Sequence, residues 1–390
     1  MKKFLKLENF IYLTIVSLPL YLIRFSIFGL PTNVFEIMAL ASIIMFFISA
    51  RSLKNELRAY SKYFIPIGLI IGGLVLSMLF NGSYRTGLGV IKSWFIIPLI
   101  FAFIATVSLQ EEKKKTIFSA IYISAFLVAC VALGYFLLGK ITFDGRLQAI
   151  FNSPNYLAMY LSPAIIIGLV NFKKNKKSYT FSLLIIASVL YLTFSYAAWL
   201  AALISLGLIW FLQKRIGKKS KNISWIIIGM IIVIFWQLGT VKMTNLIHLT
   251  ERSSLASRMM IWRSAGKMII DNPIIGIGPG NFQTKYLAYQ KYFPPYLEWA
   301  VPEPHNLLLA FWLQTGIIGL VGFITLMFMW FKALAKEINN LSENTLIALA
   351  IVAMVLVHGF LDTTYFKNDL AVLFWLTFLA LKKNRSRSEY

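Results

Sequence analysis

The sequence predicts an all-α polytopic membrane protein, a single integral domain over residues 1–390 with about twelve transmembrane helices, and three observations carry that prediction. Hydrophobic residues make up 58% of the 390-residue chain and charged residues only 14%, too apolar for a soluble protein of that size. Apolar runs of about 17–25 residues, the length a helix needs to cross a bilayer, recur from end to end. The 38 Lys and Arg, which give a net charge of +23, are gathered between those runs and not spread over a soluble face. That placement sets membrane topology; it does not describe a surface for nucleic acid. No series of short alternating apolar and polar segments marks a membrane β-barrel. The single cysteine, Cys130, excludes a disulfide framework within one chain.

Each span follows from its flanks. Lys2, Lys3 and Lys6 precede the first, 8–28, and no small-residue cleavage site follows before Leu30, so it reads as an uncleaved span and not a signal peptide. The second, 33–50, ends at Arg51, and the basic stretch from Arg51 to Lys62 leads into the third, 63–80. Spans 91–109 and 116–139 are separated by Lys113 to Lys115, and the sixth, 154–171, opens on Pro154, a residue suited to a first helical turn. Lys173 to Lys177 lead into 178–193; Thr193, Ser195 and Tyr196 then interrupt the apolar run, where a tight outer turn is expected before 196–212. Lys214 to Lys221 precede 222–240. Residues 241–303 form the one large loop, between helices 9 and 10, followed by spans 304–330, 345–363 and a short last one, 368–381. With the N-terminus in the cytoplasm every basic cluster falls on the cytoplasmic side, so both termini are expected there and the 241–303 loop outside.

Chemistry has room in that loop. Its stretch 254–270 reads as an amphipathic helix with Leu255, Met259, Trp262, Met268 and Ile269 on an apolar side, Ser253 or Ser254 as cap and Asp271-Asn272-Pro273 as stop. Such a helix is expected to lie in the interface with its apolar side toward acyl chains. Arg263 and Lys267 then read as residues whose heads snorkel to lipid headgroups. Arg252 and His248 lie just upstream, His248 with no evident partner. Gly276, Gly278 and Gly280 lack the spacing of a dinucleotide fingerprint and predict a tight turn where backbone approaches another element or a ligand closely. His305 follows Pro302 and Pro304 at the mouth of a span. Its imidazole is either a structural side chain at a helix start or a group that takes a proton from an acceptor hydroxyl while arginines hold a diphosphate. Arg146 pairs with Asp144 in the plainer reading, and Asn155 is placed to cap a helix. His358 and Asp362, four apart, share a helical face and can satisfy one another. Arg24 reads as snorkelling, and Arg85, Lys92 and Lys140 are the other outer cations. Three scattered histidines and few outer carboxylates lack a metal-ligand spacing, so neither metal nor cofactor is expected.

The run from Ser257 to Ala265, the run Asp271-Asn272-Pro273-Ile274-Ile275-Gly276-Ile277-Gly278-Pro279-Gly280-Asn281-Phe282, and His305-Asn306 followed by Gly316-Ile317-Ile318-Gly319 resemble the O-antigen ligase and polymerase superfamily. The stretch from Arg146 to Asn155 resembles that family's shorter arginine-bearing loop, and the resemblance spans about residues 140–365. It implies a metal-independent, inverting glycosyltransferase that takes a glycan from an undecaprenyl-diphosphate carrier and passes it to a glycan, lipid or wall acceptor at the outer face of a bacterial cytoplasmic membrane. Carried over by position, Arg146 and Arg258 engage the diphosphate and His305 acts as base or orients the acceptor. Arg263, Asn306, Asn155, Gly276, Gly278 and Asn281 are expected against substrate. Ser195-Tyr196 departs from the family's common Ser-Arg. The motifs do not separate ligases, polymerases and protein glycosyltransferases; a composition rich in Lys, Ile and Asn leans toward a polymerase or wall-glycan ligase.

Rival classes make different demands. A transporter or flippase of lipid-linked saccharides predicts paired half-chain repeats and charges along a central path. The apolar runs are nearly free of charge and the conspicuous polar groups fall on one face. An envelope scaffold leaves the arginines and histidine without a purpose.

Overall fold

The computed structural model describes residues 6–49, 53–109, 115–171, 176–215, 221–236, 253–336, 338 and 341–380. Arg252, His248 and the first part of the expected loop, 241–252, lie outside them. The protein is almost entirely helical, and each predicted apolar run contains a helix. Helices Lys54–Phe80, Tyr84–Ser108, Lys115–Leu137, Tyr196–Arg215 and Leu307–Ala335 are long and apolar enough to cross a membrane, and shorter apolar helices lie between them. Their outward faces expose large side chains such as Phe47, Phe80, Leu184, Phe235 and Phe328. In water such a surface is untenable; against lipid tails it costs nothing. The chain is a multi-pass membrane protein.

The first run departs from a single span. Helix α1, Leu7–Val16, stops before Pro19, whose missing N–H cannot continue the ladder, and a short 3-10 turn follows. Strands β1, Arg24–Ile27, and β2, Leu30–Asn33, then form an antiparallel hairpin. Its two-residue turn, Phe28-Gly29, has positive φ at both positions (49° and 77°), the twist that hairpins favour. Arg24 is therefore an exposed strand residue and not the end of a spanning helix. Asn33 caps α2, Val34–Ile48, by accepting from the Glu36 amide.

Helices α3, Lys54–Tyr60, and α4, Phe64–Phe80, run on through one 3-10 turn. α5, Tyr84–Val90, continues into α6, Ile97–Ser108, through a π-helical segment, so this span begins before residue 91. Lys92, on the π segment, pairs with the buried Glu36 at 2.8 Å, and Asn368 donates to the other Glu36 oxygen at 3.2 Å. α7, Lys115–Leu137, α8, Pro154–Asn171, and α9, Lys176–Leu192, follow. The outer turn expected at 193–195 is present: α9 ends, Phe194 takes φ 46°, and α10, Tyr196–Arg215, begins. α11 is Lys221–Trp236 and α12, capped by Ser253, is Ser254–Asp271. α13, Phe282–Tyr289, α14, Leu307–Ala335, α15, Glu343–Gly359, and α16, Asn368–Leu379, complete the chain.

Helices α4 and α14 approach at backbone distance. A Cβ on Gly73 would stand 2.4 Å from the Thr315 carbonyl, and one on Gly322 2.7 Å from that of Pro66. Small residues let apolar helices interlock where no hydrophobic effect drives them together. Below the start of α14, Phe311 stacks on Phe323 at 4.0 Å and meets Phe366 at 4.9 Å, while the Tyr365 hydroxyl donates to the Trp94 carbonyl at 2.9 Å. This aromatic layer floors the connection 360–367 and fixes its height.

The loop helix α12 differs from expectation in what covers it. Met260, Ile261, Ala265, Met268 and Ile269 pack with Ile277, Phe282, Tyr286, Val301 and Leu313 in a small core of their own. The loop folds back on itself and on α14, and protein, not lipid, takes up most of its apolar side.

Candidate active site

Five side chains from five separate stretches meet at one end of the bundle. Arg146 comes from the connection between α7 and α8, Asn155 is the second residue of α8, Arg258 stands on α12, His305 precedes α14, and Asp362 lies between α15 and α16. Asp362, 3% exposed, is the hub. One carboxylate oxygen accepts from His305 Nδ1 at 2.9 Å and from the Thr363 amide at 2.8 Å. The other accepts from Asn155 Nδ2 at 2.8 Å, and Arg258 Nη2 stands 3.8 Å from it. The chain of contacts continues outward, since Arg146 Nη2 donates to Asn155 Oδ1 at 2.7 Å.

Backbone carbonyls aim both arginines. Arg146 Nε donates to Thr193 O and Arg258 Nε to Leu361 O, each at 2.8 Å. The turn at 193–195 therefore serves the site. Arg146 Nη1 is 3.9 Å from Asp144, a pair close enough to attract and too long to be a hydrogen bond. Arg258 Nη1 donates to the Ser254 hydroxyl and carbonyl, so Arg146 Nη1 and, across the 3.8 Å gap, Arg258 Nη2 are the donors left for an incoming oxyanion. Burial pulls the Arg146 guanidinium below its usual pKa, with Asp144 opposing and Arg258 assisting, and an arginine so placed remains charged.

Local geometry explains the imidazole. His305 takes φ +47°, a left-handed conformation costly for a side-chain-bearing residue. Trp262 Nε1 holds its carbonyl at 3.2 Å, and Asn306 caps α14 through the Leu309 amide while donating to Phe360 O, both at 3.0 Å. Burial depresses the His305 pKa, but the charge of Asp362 and the hydrogen bond to it outweigh that, so the net shift is upward. Burial pushes the Asp362 carboxyl up, yet His305 and Arg258 prevail and hold it well below the usual carboxylate range. An ionised Asp362 needs a donor at Nδ1. Nε2 is then the nitrogen free to take a proton.

The structure gathers Arg146, Arg258, His305 and Asn155, all named from the sequence, and adds Asp362. The pairing of Asp362 with His358 is not what the structure has. α15 ends at Gly359, the amides of Leu361 and Asp362 both turn back to His358 O at 2.9 Å, and the carboxylate swings toward His305. His358 Nε2 is buried without a hydrogen-bond partner. The residues expected against substrate divide. Arg263 is exposed, five positions and about 140° around α12 from Arg258, and Lys267 pairs with Asp271 at 2.7 Å. Asn306 is engaged as a cap. Gly276, with φ +72°, lies so near α14 that a Cβ would stand 2.4 Å from Leu313 O. The Ile277 amide donates to that same carbonyl at 2.7 Å. Gly278, with φ +90°, packs on Ser83 and Asn81, and Asn281 Nδ2 closes the turn onto Ile277 O at 2.9 Å. The glycine turn thus approaches another element, clamping the loop to α14 where Gly316 breaks the helix with φ +64°. Among the described residues no three of His, Cys, Asp and Glu form a metal-ligating group.

Sequence comparisons bear on the same region. A family model described as O-antigen ligase matches residues 181–324, which include Arg258 and His305. Over 320 residues, 74% of this chain and 74% of the other, the protein is 25% identical to an O-antigen ligase of Salmonella typhimurium. It is also 30% identical over 113 residues to a putative polysaccharide ligase of Rickettsia conorii, a match covering 26% of this chain and 25% of that one. The motifs of the loop, the helical membrane fold and these matches together support a resemblance to the O-antigen ligase superfamily.

Proposed function

We propose that this protein is a bacterial glycosyltransferase that moves a glycan from an undecaprenyl-diphosphate carrier onto an acceptor hydroxyl at the outer face of the cytoplasmic membrane. The observation that carries the reading is the convergence of Arg146, Arg258 and His305 on Asp362. Fixed cations and an oriented base are what displacement of a diphosphate by a hydroxyl requires. The acceptor oxygen attacks the anomeric carbon as the bond from that carbon to the phosphate oxygen breaks. The hydroxyl proton passes to His305 Nε2, and the departing diphosphate leaves with its electron pair against Arg146 and Arg258. A single displacement of this kind inverts the anomeric centre, and the two guanidinium groups supply the positive charge without a metal. Asp362 steadies the imidazolium as it forms.

An apolar cleft of about 340 Å³ supports a lipid-borne donor. It is lined by Leu307, Leu308, Phe323, Met327, Leu356 and Phe360, so it opens two residues beyond His305 and closes beside the Leu361 carbonyl that holds Arg258. Its volume is at the small end of ligand pockets, about 300–1,000 Å³. A polyprenyl chain laid there keeps its diphosphate at the cluster.

The test is a reconstituted assay in proteoliposomes with the lipid-linked repeat unit, with and without a separate acceptor, and with chelator in parallel. Expected is release of undecaprenyl diphosphate with glycan transfer unaffected by chelator. Chain lengthening without added acceptor identifies a polymerase and strict acceptor dependence a ligase. Transport of intact lipid-linked saccharide without bond cleavage would make the protein a flippase instead.

A further inference from the structure

We infer that the buried ion pair between Glu303 and Lys367 is a positioning device for His305, holding the base on its strained backbone and against Asp362 only while Glu303 is ionised. The inference rests on the glycan-transfer reading for what His305 does, but not for how it is held.

Three tethers secure the segment that carries His305. Two are neutral and permanent, the Trp262 and Asn306 hydrogen bonds already described. The third is ionic: Lys367 Nζ stands 3.7 Å from Glu303 Oε1, both side chains largely buried. Glu303 is two residues before His305 and Lys367 five after Asp362, so the pair spans the same two chain segments as the His305–Asp362 bond. Pro302 and Pro304 flank Glu303, restrict the backbone on either side and let little of a displacement at Glu303 be absorbed before it reaches His305. The ammonium group is itself held over the Tyr156 ring at 4.7 Å and the Trp94 ring at 5.9 Å. A left-handed histidine persists only where its surroundings over-determine it. Removing one tether of three therefore acts on the base, not on distant packing.

The second carboxylate oxygen, Glu303 Oε2, is buried, and the equally buried Thr363 hydroxyl is the side chain that acts on this carboxylate. Burial pushes the Glu303 carboxyl up to about 7, with Lys367 opposing. Asp362 adds to the rise; His305 and Thr363 act against it. From the other side Tyr156, on α8, and Tyr21, in the turn after α1, also feel its charge. The signs then diverge. Because the folded-state carboxyl is raised, burial of the ionised form costs stability as pH climbs from the ordinary glutamate range through about 7. Over the same interval the tether forms and His305 is better placed. The wild-type protein is expected to gain activity while losing a little stability.

The experiment compares wild type, Glu303→Gln, Glu303→Asp and Lys367→Met as full-length protein in nanodiscs. Three readings are taken against pH: glycan transfer, thermal unfolding, and the rate at which diethyl pyrocarbonate modifies His305, followed by mass spectrometry. Glu303→Gln is expected to lower kcat by about tenfold to a hundredfold, with donor KM little changed and an unfolding temperature at pH 8 equal to wild type or higher. The acid limb of wild type should show two ionisations and that of Glu303→Gln one, while Glu303→Asp restores the second in part and Lys367→Met moves it to higher pH. His305 modification should follow the same pattern. If His305 modification in Glu303→Gln keeps the wild-type pH dependence, or if activity falls only in step with unfolding temperature, the positioning role is wrong. Absence of transfer in wild type with His305 modification still coupled to Glu303 would overturn the glycosyltransferase reading and leave this one standing.

Discussion

Asp362 accepts from His305, from Asn155 and from the amide of its own neighbour, so one side chain sets the imidazole tautomer and ties both arginines into a common network. Asp362→Asn keeps the shape and removes the charge. It is expected to fold and to lose about a hundredfold to ten-thousandfold in transfer, measured on purified protein with the donor saturating. The pH dependence follows the shifts. Transfer needs neutral Nε2, and His305 titrates above its ordinary value, so activity should fall as pH drops through that raised value. In Asp362→Asn the main raising influence is gone while burial and the Arg258 charge still lower the ring, with Glu303 opposing, and the acid limb should move to lower pH. The linkage to stability has the opposite sense: the His305 contribution is full below the ordinary histidine pKa and is lost as pH rises through the raised one. Arg146, Arg258 and His305 could be singled out in the sequence because histidines, and cations away from the basic clusters, are rare in so apolar a chain, and the family resemblance then gave them roles. Asp362 was visible only as a partner for His358, since nothing in the residue order announces that α15 stops at Gly359 and the chain turns back.

Among the elements, the glycine turn does more for the site than any single helix. Gly276 and Gly316 let the loop and the break in α14 exchange hydrogen bonds, Ile277 N to Leu313 O at 2.7 Å and Ile317 N to Ile274 O at 3.0 Å. These fix α12, and with it Arg258, relative to His305. Gly276→Val would demand a positive φ and place a Cβ against a carbonyl. It should destabilise by about 2 kcal/mol or more, read as a lower unfolding temperature, with transfer lost although no cluster residue is changed. The tight turn was legible; its partner was not, because close approach between segments separated by more than 30 residues leaves no local signal. The same limit hid the hairpin after α1. Pro19 was in plain view, but hydropathy alone cannot distinguish an apolar hairpin from the end of a span, and the alternation that marks a strand is lost in four residues. The cover over α12 was missed for a related reason: an amphipathic pattern states that an apolar side is buried, not whether lipid or protein buries it.

Over the whole molecule, the helix ends divide by charge. The five clustered side chains sit at one end. Among the described residues, Lys54, Arg58, Lys115, Lys177, Lys214 and Arg215 lie at the opposite helix ends, where Tyr60 donates to Leu379 O and Trp330 to Phe378 O, both at 3.0 Å. By the positive-inside rule the cluster is expected to face outward. In a Cys130→Ala background, Trp299→Cys, at a position 78% exposed on the loop, should react with an impermeant thiol reagent added to intact cells, and protection until lysis would invert the topology. The all-helical, multi-pass character was readable from hydropathy, since it acts along the chain. The meeting of residues 146, 155, 258, 305 and 362 was not, because it depends on which helices pack together.

The central claim is that His305, set by Asp362 and flanked by Arg146 and Arg258, carries out transfer from a polyprenyl diphosphate. Purified His305→Ala protein, checked by thermal unfolding and by binding of undecaprenyl diphosphate, is the most direct test. Normal folding and retained lipid binding with transfer abolished are the predicted result; transfer at the wild-type rate would contradict the account.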